Sequence, residues 1–236
     1  MKEYIKKDLL ILIRNPTYMI VTILIPVLLF LFYGRSNAEQ VEYIAASFCA
    51  FSVFGIVFFQ FGVSISSDRD SYWYKFTRTL PGSMLNSIVS RIVTAILLSV
   101  VSITIIMIVS GILFNLGSGK IITLYTALIL GAIPFSLMGA ALGYLIPPKL
   151  ALPIANLIYL VLSFIGGLWT PPSNMSPEIL QIAQFTPTFH WGTILWSTIE
   201  GVSPPPLSIL VLVIYSVILA LLTYIGYRKD EGTQYQ

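Results

Sequence analysis

The sequence is poor in the residues on which soluble domains and many sites depend. It has a single cysteine, Cys49, in 236 residues, so it can build neither a disulfide framework nor a thiolate metal cluster. Charged residues make up only 10% of the chain, whereas soluble domains carry roughly 25%. The few basic residues are spread over several short polar stretches, which argues against nucleic-acid binding. These shortages exclude an ordinary soluble domain.

Charge is also missing from the long apolar stretches. All ten acidic residues lie outside them. A charge at the centre of a membrane costs at least about 2.5–3.5 kcal/mol and usually marks an ion or proton path. Its absence argues against a proton- or sodium-coupled transporter, and against an intramembrane metalloprotease or acyltransferase. The one histidine, His190, lies in the segment 170–206 between the last two of these stretches, and we interpret it as an interfacial polar residue rather than a catalytic one.

What the chain does contain is apolar residues, which make up 56% of it. A membrane-spanning helix needs about 20 mainly apolar residues. Six stretches meet this requirement: Thr17–Tyr33, Tyr43–Ile65, Ile92–Phe114, Ile121–Leu145, Pro153–Trp169 and Leu207–Tyr227. The sequence therefore predicts an all-α integral membrane protein with six transmembrane helices in a single transmembrane domain, residues 1–236.

The basic residues predict the orientation. If the N-terminus is cytosolic, eleven of the thirteen lysines and arginines fall in cytosolic segments, and only Arg35 and Lys120 lie outside. Basic residues flank both chain ends, which requires an even number of spans. We therefore expect both termini in the cytosol. The segment 170–206 has no Lys or Arg, as an outer segment should.

Two flanking segments have helical character. Residues 1–14 alternate apolar and basic positions at helical spacing, which predicts a helix lying on the inner membrane surface. Within residues 170–206, Phe189–Ile199 is apolar enough to touch lipid but too short to cross, so we expect an outer re-entrant segment of one or two short helices. Ser176-Pro177-Glu178 has the cap, proline and acid of a helix start.

The longest inner loop predicts a short cytosolic helix within residues 66–82. Asp68 and Asp70 would lie in its first turn, where acids complement the helix dipole. Tyr72 and Phe76 are one turn apart, with Trp73 beside them. Such aromatic side chains either lie at the lipid interface or enter a groove of a soluble partner. Periodicity alone leaves both interpretations open.

The polar side chains within the predicted spans are uncharged. Gln60, Asn156 and Ser163 either bond between helices or face a substrate path. Gly166 and Gly167 would allow close helix contact, and Gly139-x-x-x-Gly143 matches the small-residue packing pattern.

One phosphate-loop look-alike carries no nucleotide site. Gly117-Ser118-Gly119-Lys120 is followed by Ile121 instead of Ser or Thr, and Phe114 stands where the first glycine should be. No strand precedes it, so we interpret it as a turn. We therefore expect no cofactor, no metal and no enzyme activity in this chain.

The arrangement resembles the membrane subunit of ABC-2 type ABC exporters over nearly the whole chain. The resemblance rests on Arg14-Asn15-Pro16 before the first span, Thr79-Leu80-Pro81 closing the inner helix, and a run from Ser163 to Pro172. Met175-Ser176-Pro177 and Phe185-Thr186-Pro187 follow, like the outer re-entrant segment of that family. One departure is Asp68-Arg69-Asp70, where many members have a Glu-Arg-Glu-like run.

The resemblance implies a permease subunit that forms the translocation path and couples to a separate cytosolic P-loop ATPase, which binds the ATP. It implies a second permease subunit, a bacterial plasma membrane and export as the usual direction. It also identifies 66–82 as a coupling helix, with Asp68, Asp70, Tyr72, Trp73 and Phe76 as the residues that contact the ATPase. The alternatives are an importer subunit, although no Glu-Ala-Ala-x-x-x-Gly-like loop is present, and a non-transporting membrane sensor or scaffold.

Overall fold

The computed structural model describes residues 2–14, 16–36, 40–69, 71, 83–114 and 121–233. In these ranges the regular elements are helices, and no strand occurs. The helices are α1 (Lys2–Arg14), α2 (Pro16–Ser36), α3 (Val41–Arg69), α4 (Ser83–Phe114), α5 (Ile121–Gly131), α6 (Ile133–Leu145), α7 (Pro148–Ile165), α8 (Pro177–Ala183), α9 (Pro187–Glu200) and α10 (Pro206–Thr233). A short 3-10 turn, Pro172–Asn174, separates α7 from α8.

In the described part of the chain, five stretches are long and apolar enough to cross a membrane. They are Val41–Arg69, Ile88–Leu113, Ile122–Leu145, Pro148–Ile165 and Pro206–Asp230. Thr22–Arg35 in α2 is apolar but shorter. The expected helical, membrane-spanning architecture is thereby confirmed, whereas the count of six spans stays a prediction.

The fifth predicted span is displaced toward the N-terminus. Helix α7 runs from Pro148 to Ile165, whereas the sequence predicted Pro153–Trp169. Proline is tolerated in the first turn of a helix, where the missing N–H has no intrahelical acceptor, so Pro148 can begin α7. Gly167 has a φ of +83°, a backbone conformation that ends the helix before Trp169.

Helix α3 lies at the centre of the bundle, packs most extensively against α6 and also contacts α2, α4 and α7. Most of its residues are buried. Glycine lets α3 and α6 touch backbone to backbone. A Cβ on Gly139 would stand 2.5 Å from the carbonyl oxygen of Phe58, and one on Gly143 would stand 2.8 Å from that of Gly62. The interpretation of Gly139-x-x-x-Gly143 as a packing motif is confirmed.

The bundle has two ends, which we name after residues of α3: the Tyr43 end, where α3 begins, and the Arg69 end, where it stops. Asp8 of α1 accepts a hydrogen bond from Ser90 of α4. The next residue, Arg91, contacts Asp68 in the last turn of α3. Asp230 of α10 pairs with Arg69 itself. Helix α1 and the last turns of α10 therefore lie at the same end of the bundle.

The segment between α7 and α10 covers the Tyr43 end. Helix α8 begins as expected, with Ser176 at the N-cap accepting a hydrogen bond from the backbone N–H of Ile179. Glu178 lies in the first turn, and hydrogen bonds from its own backbone and from the Ser176 side chain lower the pKa of its carboxyl group. The predicted helix start is confirmed, while the depth of residues 170–206 in a membrane stays a prediction.

Helix α9 is packed into the bundle rather than lying on it. Trp191 is fully buried against Gly131, and its indole N–H donates to the carbonyl of Ala127, 3.2 Å away. His190 is also buried, with its ring nitrogens 3.2 Å from the hydroxyl oxygen of Ser208 and 2.9 Å from the carbonyl oxygen of Gln184.

Candidate functional site: an ionic cluster at the end of α3

Arg69, the last residue of α3, binds two other helices at once. Its Nε lies 2.7 Å from the Asp230 carboxylate of α10. Its Nη1 donates to the carbonyls of Gly143 and Tyr144, at 2.9 Å and 2.8 Å. These carbonyls belong to the last turn of α6, which ends at Leu145, so they have no intrahelical donor. The Asp230 side chain is only 6% exposed and the Arg69 side chain 21%, so the pair is largely shielded from water.

A second arginine joins α4 to the same turn of α3. Arg91 pairs with the Asp68 carboxylate and donates to the carbonyl of Gln60, 3.3 Å away. The preceding residue, Ser90, donates to Asp8 of α1. We call this set the ionic cluster: Asp8, Asp68, Arg69, Ser90, Arg91 and Asp230. Its contacts join five helices, α1, α3, α4, α6 and α10.

The ionic cluster lies where the chain leaves α3 for the predicted coupling segment. Helix α3 continues through Arg69, so residues 66–69 form its last turn. Ser71 then closes a turn, its N–H and hydroxyl both donating to the Asp68 carbonyl at 2.9 Å and 2.7 Å. Any separate coupling helix therefore starts later than residue 66, the predicted start. Asp70, Tyr72, Trp73 and Phe76 lie outside the described residues.

The polar residues predicted within the spans do not come together. Gln60 contributes its carbonyl to Arg91 near the Arg69 end. Asn156 is exposed on the face of α7 that points away from the bundle. Ser163, two turns further along α7, is buried, and its hydroxyl has no hydrogen-bond partner among the described residues.

The two predicted glycines lie where α7 meets α9. A Cβ on Gly166 would collide with the Thr188 side chain, and the Thr188 hydroxyl donates to the Leu162 carbonyl of α7 at 2.7 Å. Gly167 lies beside Trp196, which a Cβ would approach to 3.2 Å. These contacts belong to helix packing, and a role in a substrate path stays a prediction.

This arrangement can hold the ends of neighbouring helices together. In the part of the chain that the structure describes, no three His, Cys, Asp or Glu side chains lie together as metal ligands. The ionic cluster instead fixes the end of α3 to its neighbours through charged hydrogen bonds, which are among the stronger ones in proteins. Sequence reasoning placed Arg69 and Asp230 on one side of the membrane, but it gave no signal that they pair.

Comparison with known proteins agrees with this architecture. The family model of the ABC-2 type transporter matches residues 1–200. The chain is 25% identical over 230 residues to a Bacillus subtilis (strain 168) protein named "Putative transport permease YvfS", covering 93% of this chain and 94% of that one. No solved structure matches it significantly. The chain therefore belongs to the ABC-2 type transporter family, which makes it a multi-pass membrane subunit of a transporter and implies an ABC ATPase as its partner.

Proposed function

We propose that this chain is the permease subunit of an ATP-driven exporter in a bacterial plasma membrane. Two such subunits form the translocation path, as a homodimer or with a paralogue, and two cytosolic ATPases bind and hydrolyse the ATP. The observation that carries this proposal is the ionic cluster. It connects five helices at the point where the chain enters the segment 70–82.

The ionic cluster gives the ATPase a way to move the whole bundle. A push on the segment 70–82 acts first on Arg69 and Asp68, the last residues of α3. Arg69 passes it to α6 and α10, and Asp68 passes it through Arg91 to α4. Charged contacts of this kind have discrete bonded arrangements, so a displacement shifts helices as units.

Orientation follows from where the basic residues lie. Arg69, Arg91 and Lys149, at the start of α7, stand near the Arg69 end, and Arg228 and Lys229 stand there in the last turns of α10. We infer that this end faces the cytosol. Helix α2 connects α1, near the Arg69 end, with the start of α3 at the Tyr43 end, which supports its assignment as a sixth span.

Cysteine labelling tests the orientation. With Cys49 replaced by Ser, a cysteine at Ser173 should react with an impermeant thiol reagent added to intact cells, because the Tyr43 end faces outward. A cysteine at Thr233 should react only after the membrane is opened. Equal labelling of Thr233→Cys in intact cells would mean that the two chain ends do not share the cytosolic side.

The exposed face of α7 is an argument for a second subunit. Asn156 is exposed there without a hydrogen-bond partner among the described residues, and an unsatisfied amide is costly against lipid. A shallow apolar pocket of about 400 Å³ lies on the same helix, lined by Leu160, Val161, Phe164, Ile165 and Trp169. We infer that this face lies against the second subunit or the translocation path.

The proposed coupling is tested with everted membrane vesicles that contain the permease and its ATPase. Solute should accumulate in the vesicles only with ATP and despite a protonophore, since no Asp or Glu lies within the long apolar stretches of the sequence to carry protons. The Tyr72/Trp73/Phe76 triple alanine variant should lose ATPase co-purification by at least tenfold per anchor, because burying each large side chain contributes about 1.5–3 kcal/mol.

Arg78→Ala is the matched control in the same segment, because it removes a charge rather than an aromatic side chain, and surface ion pairs contribute only about 0–1 kcal/mol. Asp68 is unsuitable for this purpose because it pairs with Arg91. Normal ATPase capture by the triple variant would refute the coupling role. ATP-driven movement of solute out of the everted vesicles would favour the importer. No ATP-dependent movement of solute in either direction would favour the sensor or scaffold.

A further inference from the structure

A pocket of about 370 Å³ with both polar and apolar walls opens at the Tyr43 end, far from the ionic cluster. Its walls come from three parts of the chain: Gln40 and Tyr43 at the start of α3, Trp196 and Glu200 near the end of α9, and the Pro171–Ser173 loop after α7. The loop is held by backbone hydrogen bonds from Asn174 to Pro171 and from Met175 to Pro172. The pocket is therefore shaped by packed elements rather than by surface side chains alone.

The pocket offers acceptors and a negative charge, but few donors. The Glu200 carboxylate accepts a hydrogen bond from the Tyr43 hydroxyl, 3.1 Å away, and no Lys or Arg among the described residues pairs with it. The Gln40 side-chain oxygen is shielded from solvent and has no donor in the described part of the chain. Two possible donors are absent, since Pro171 and Pro172 have no N–H.

The aromatic walls complete the site. The Trp196 indole N–H donates to the Ser47 hydroxyl, 2.9 Å away, so it already has an acceptor. Trp196 and Tyr43 both line the pocket. Aromatic side chains beside a carboxylate suit a cation, because aromatic faces attract positive charge.

We propose that this pocket binds a primary ammonium group. Such a group carries three N–H donors and a positive charge, and so complements the Glu200 carboxylate, while its apolar part can pack on the aromatic side chains of the wall. An anion would be repelled by Glu200, and an apolar group would cover the carboxylate without pairing it. The ammonium group belongs either to a soluble amine or to an aminophospholipid headgroup.

The test measures binding directly, without the ATPase or transport, so its result is independent of the proposed function. The purified full-length protein carries Cys49→Ser and Ser173→Cys, which places one thiol at the rim of the pocket. The rate of maleimide labelling is measured with increasing n-butylammonium chloride, and with sodium butyrate as the anion of similar size. We expect n-butylammonium to slow labelling and butyrate to have no effect.

Variants separate a built site from general surface charge. Glu200→Gln should raise the half-maximal n-butylammonium concentration about tenfold or more, because a charge-assisted hydrogen bond is lost. Tyr43→Phe keeps the carboxylate and should still bind. Glu178→Gln is the matched control, since Glu178 is an exposed carboxylate at the same end, outside the pocket.

The source of the ammonium is resolved by reconstitution. Protein in phosphatidylethanolamine nanodiscs is compared with protein in phosphatidylglycerol nanodiscs, first without amine and then with added n-butylammonium. Slower labelling only in phosphatidylethanolamine assigns the pocket to a lipid headgroup, and protection by n-butylammonium in both assigns it to soluble amines. The proposal is overturned if neither protects, if butyrate protects equally, or if Glu178→Gln weakens protection as much as Glu200→Gln.

Discussion

Gly139→Leu is expected to prevent folding of the bundle. Even the first side-chain carbon would stand 2.5 Å from the carbonyl oxygen of Phe58, which belongs to the backbone of α3 and cannot rotate away. Adding side-chain volume to a packed core costs typically about 1–3 kcal/mol and more where backbone must move. Because α3 and α6 form the most extensive helix contact, their separation affects the centre of the protein.

The measurement is the monodisperse fraction after detergent extraction, followed by fluorescence-detected gel filtration. Gly111→Leu is the matched control, because a Cβ at Gly111 of α4 meets nothing within 4 Å. Leucine is also the better helix former by nearly 1 kcal/mol, so this control should behave like the parent protein. The same monodisperse peak from both variants would contradict the close backbone contact of α3 and α6 at Gly139.

Arg69→Ala is expected to destabilise the protein and to uncouple it from ATP hydrolysis. The change removes the Asp230 ion pair and both donors to the end of α6. Breaking a largely buried ion pair by removing one partner costs about 3–5 kcal/mol. For a chain of this size the apparent melting temperature should fall by roughly 10 °C.

A double-mutant cycle separates the ion pair from the helix-end contacts. Adding Asp230→Asn to Arg69→Ala removes the carboxylate that Arg69 no longer neutralises, and should recover part of the stability. Arg69→Lys keeps the charge but not the planar fork, so it should fold and still couple poorly. Lys149→Ala, an exposed basic residue at the start of α7, serves as the control. Wild-type melting and transport by Arg69→Ala would contradict the proposed role of the ionic cluster.

The helical membrane architecture could be predicted from the sequence because long apolar runs have few other stable solutions. The sequence also predicted the start of α8 correctly, with Ser176 as its N-cap. The Gly139-x-x-x-Gly143 pattern indicated a packing face correctly. It could not indicate that the partner is Gly62 of α3, since a small-residue motif specifies its own helix face and not the opposing one.

The candidate site was predicted less well, because it depends on contacts between distant parts of the chain. Arg69 and Asp230 are 161 residues apart, and each alone resembles an ordinary basic or acidic residue at a membrane edge. Asp68 was selected for a different reason, as a residue in the first turn of a separate helix. Apolar patterning ended the second predicted span at Ile65, but α3 continues for one more turn because its polar end is fixed by Arg69 and Arg91.

The unequal lengths of the helices make bilayer thickness important for this protein. At about 1.5 Å per residue, the 18 residues of α7 extend ~27 Å, close to the hydrocarbon thickness of about 30 Å, whereas the 29 residues of α3 extend ~43 Å. Helix α7 therefore leaves little tolerance for a thicker membrane, while α3 projects beyond the acyl chains. Lengthening the lipid tails would draw the Arg69 end toward hydrocarbon, so acyl-chain length would act on the same ion pairs through which we propose that the ATPase acts.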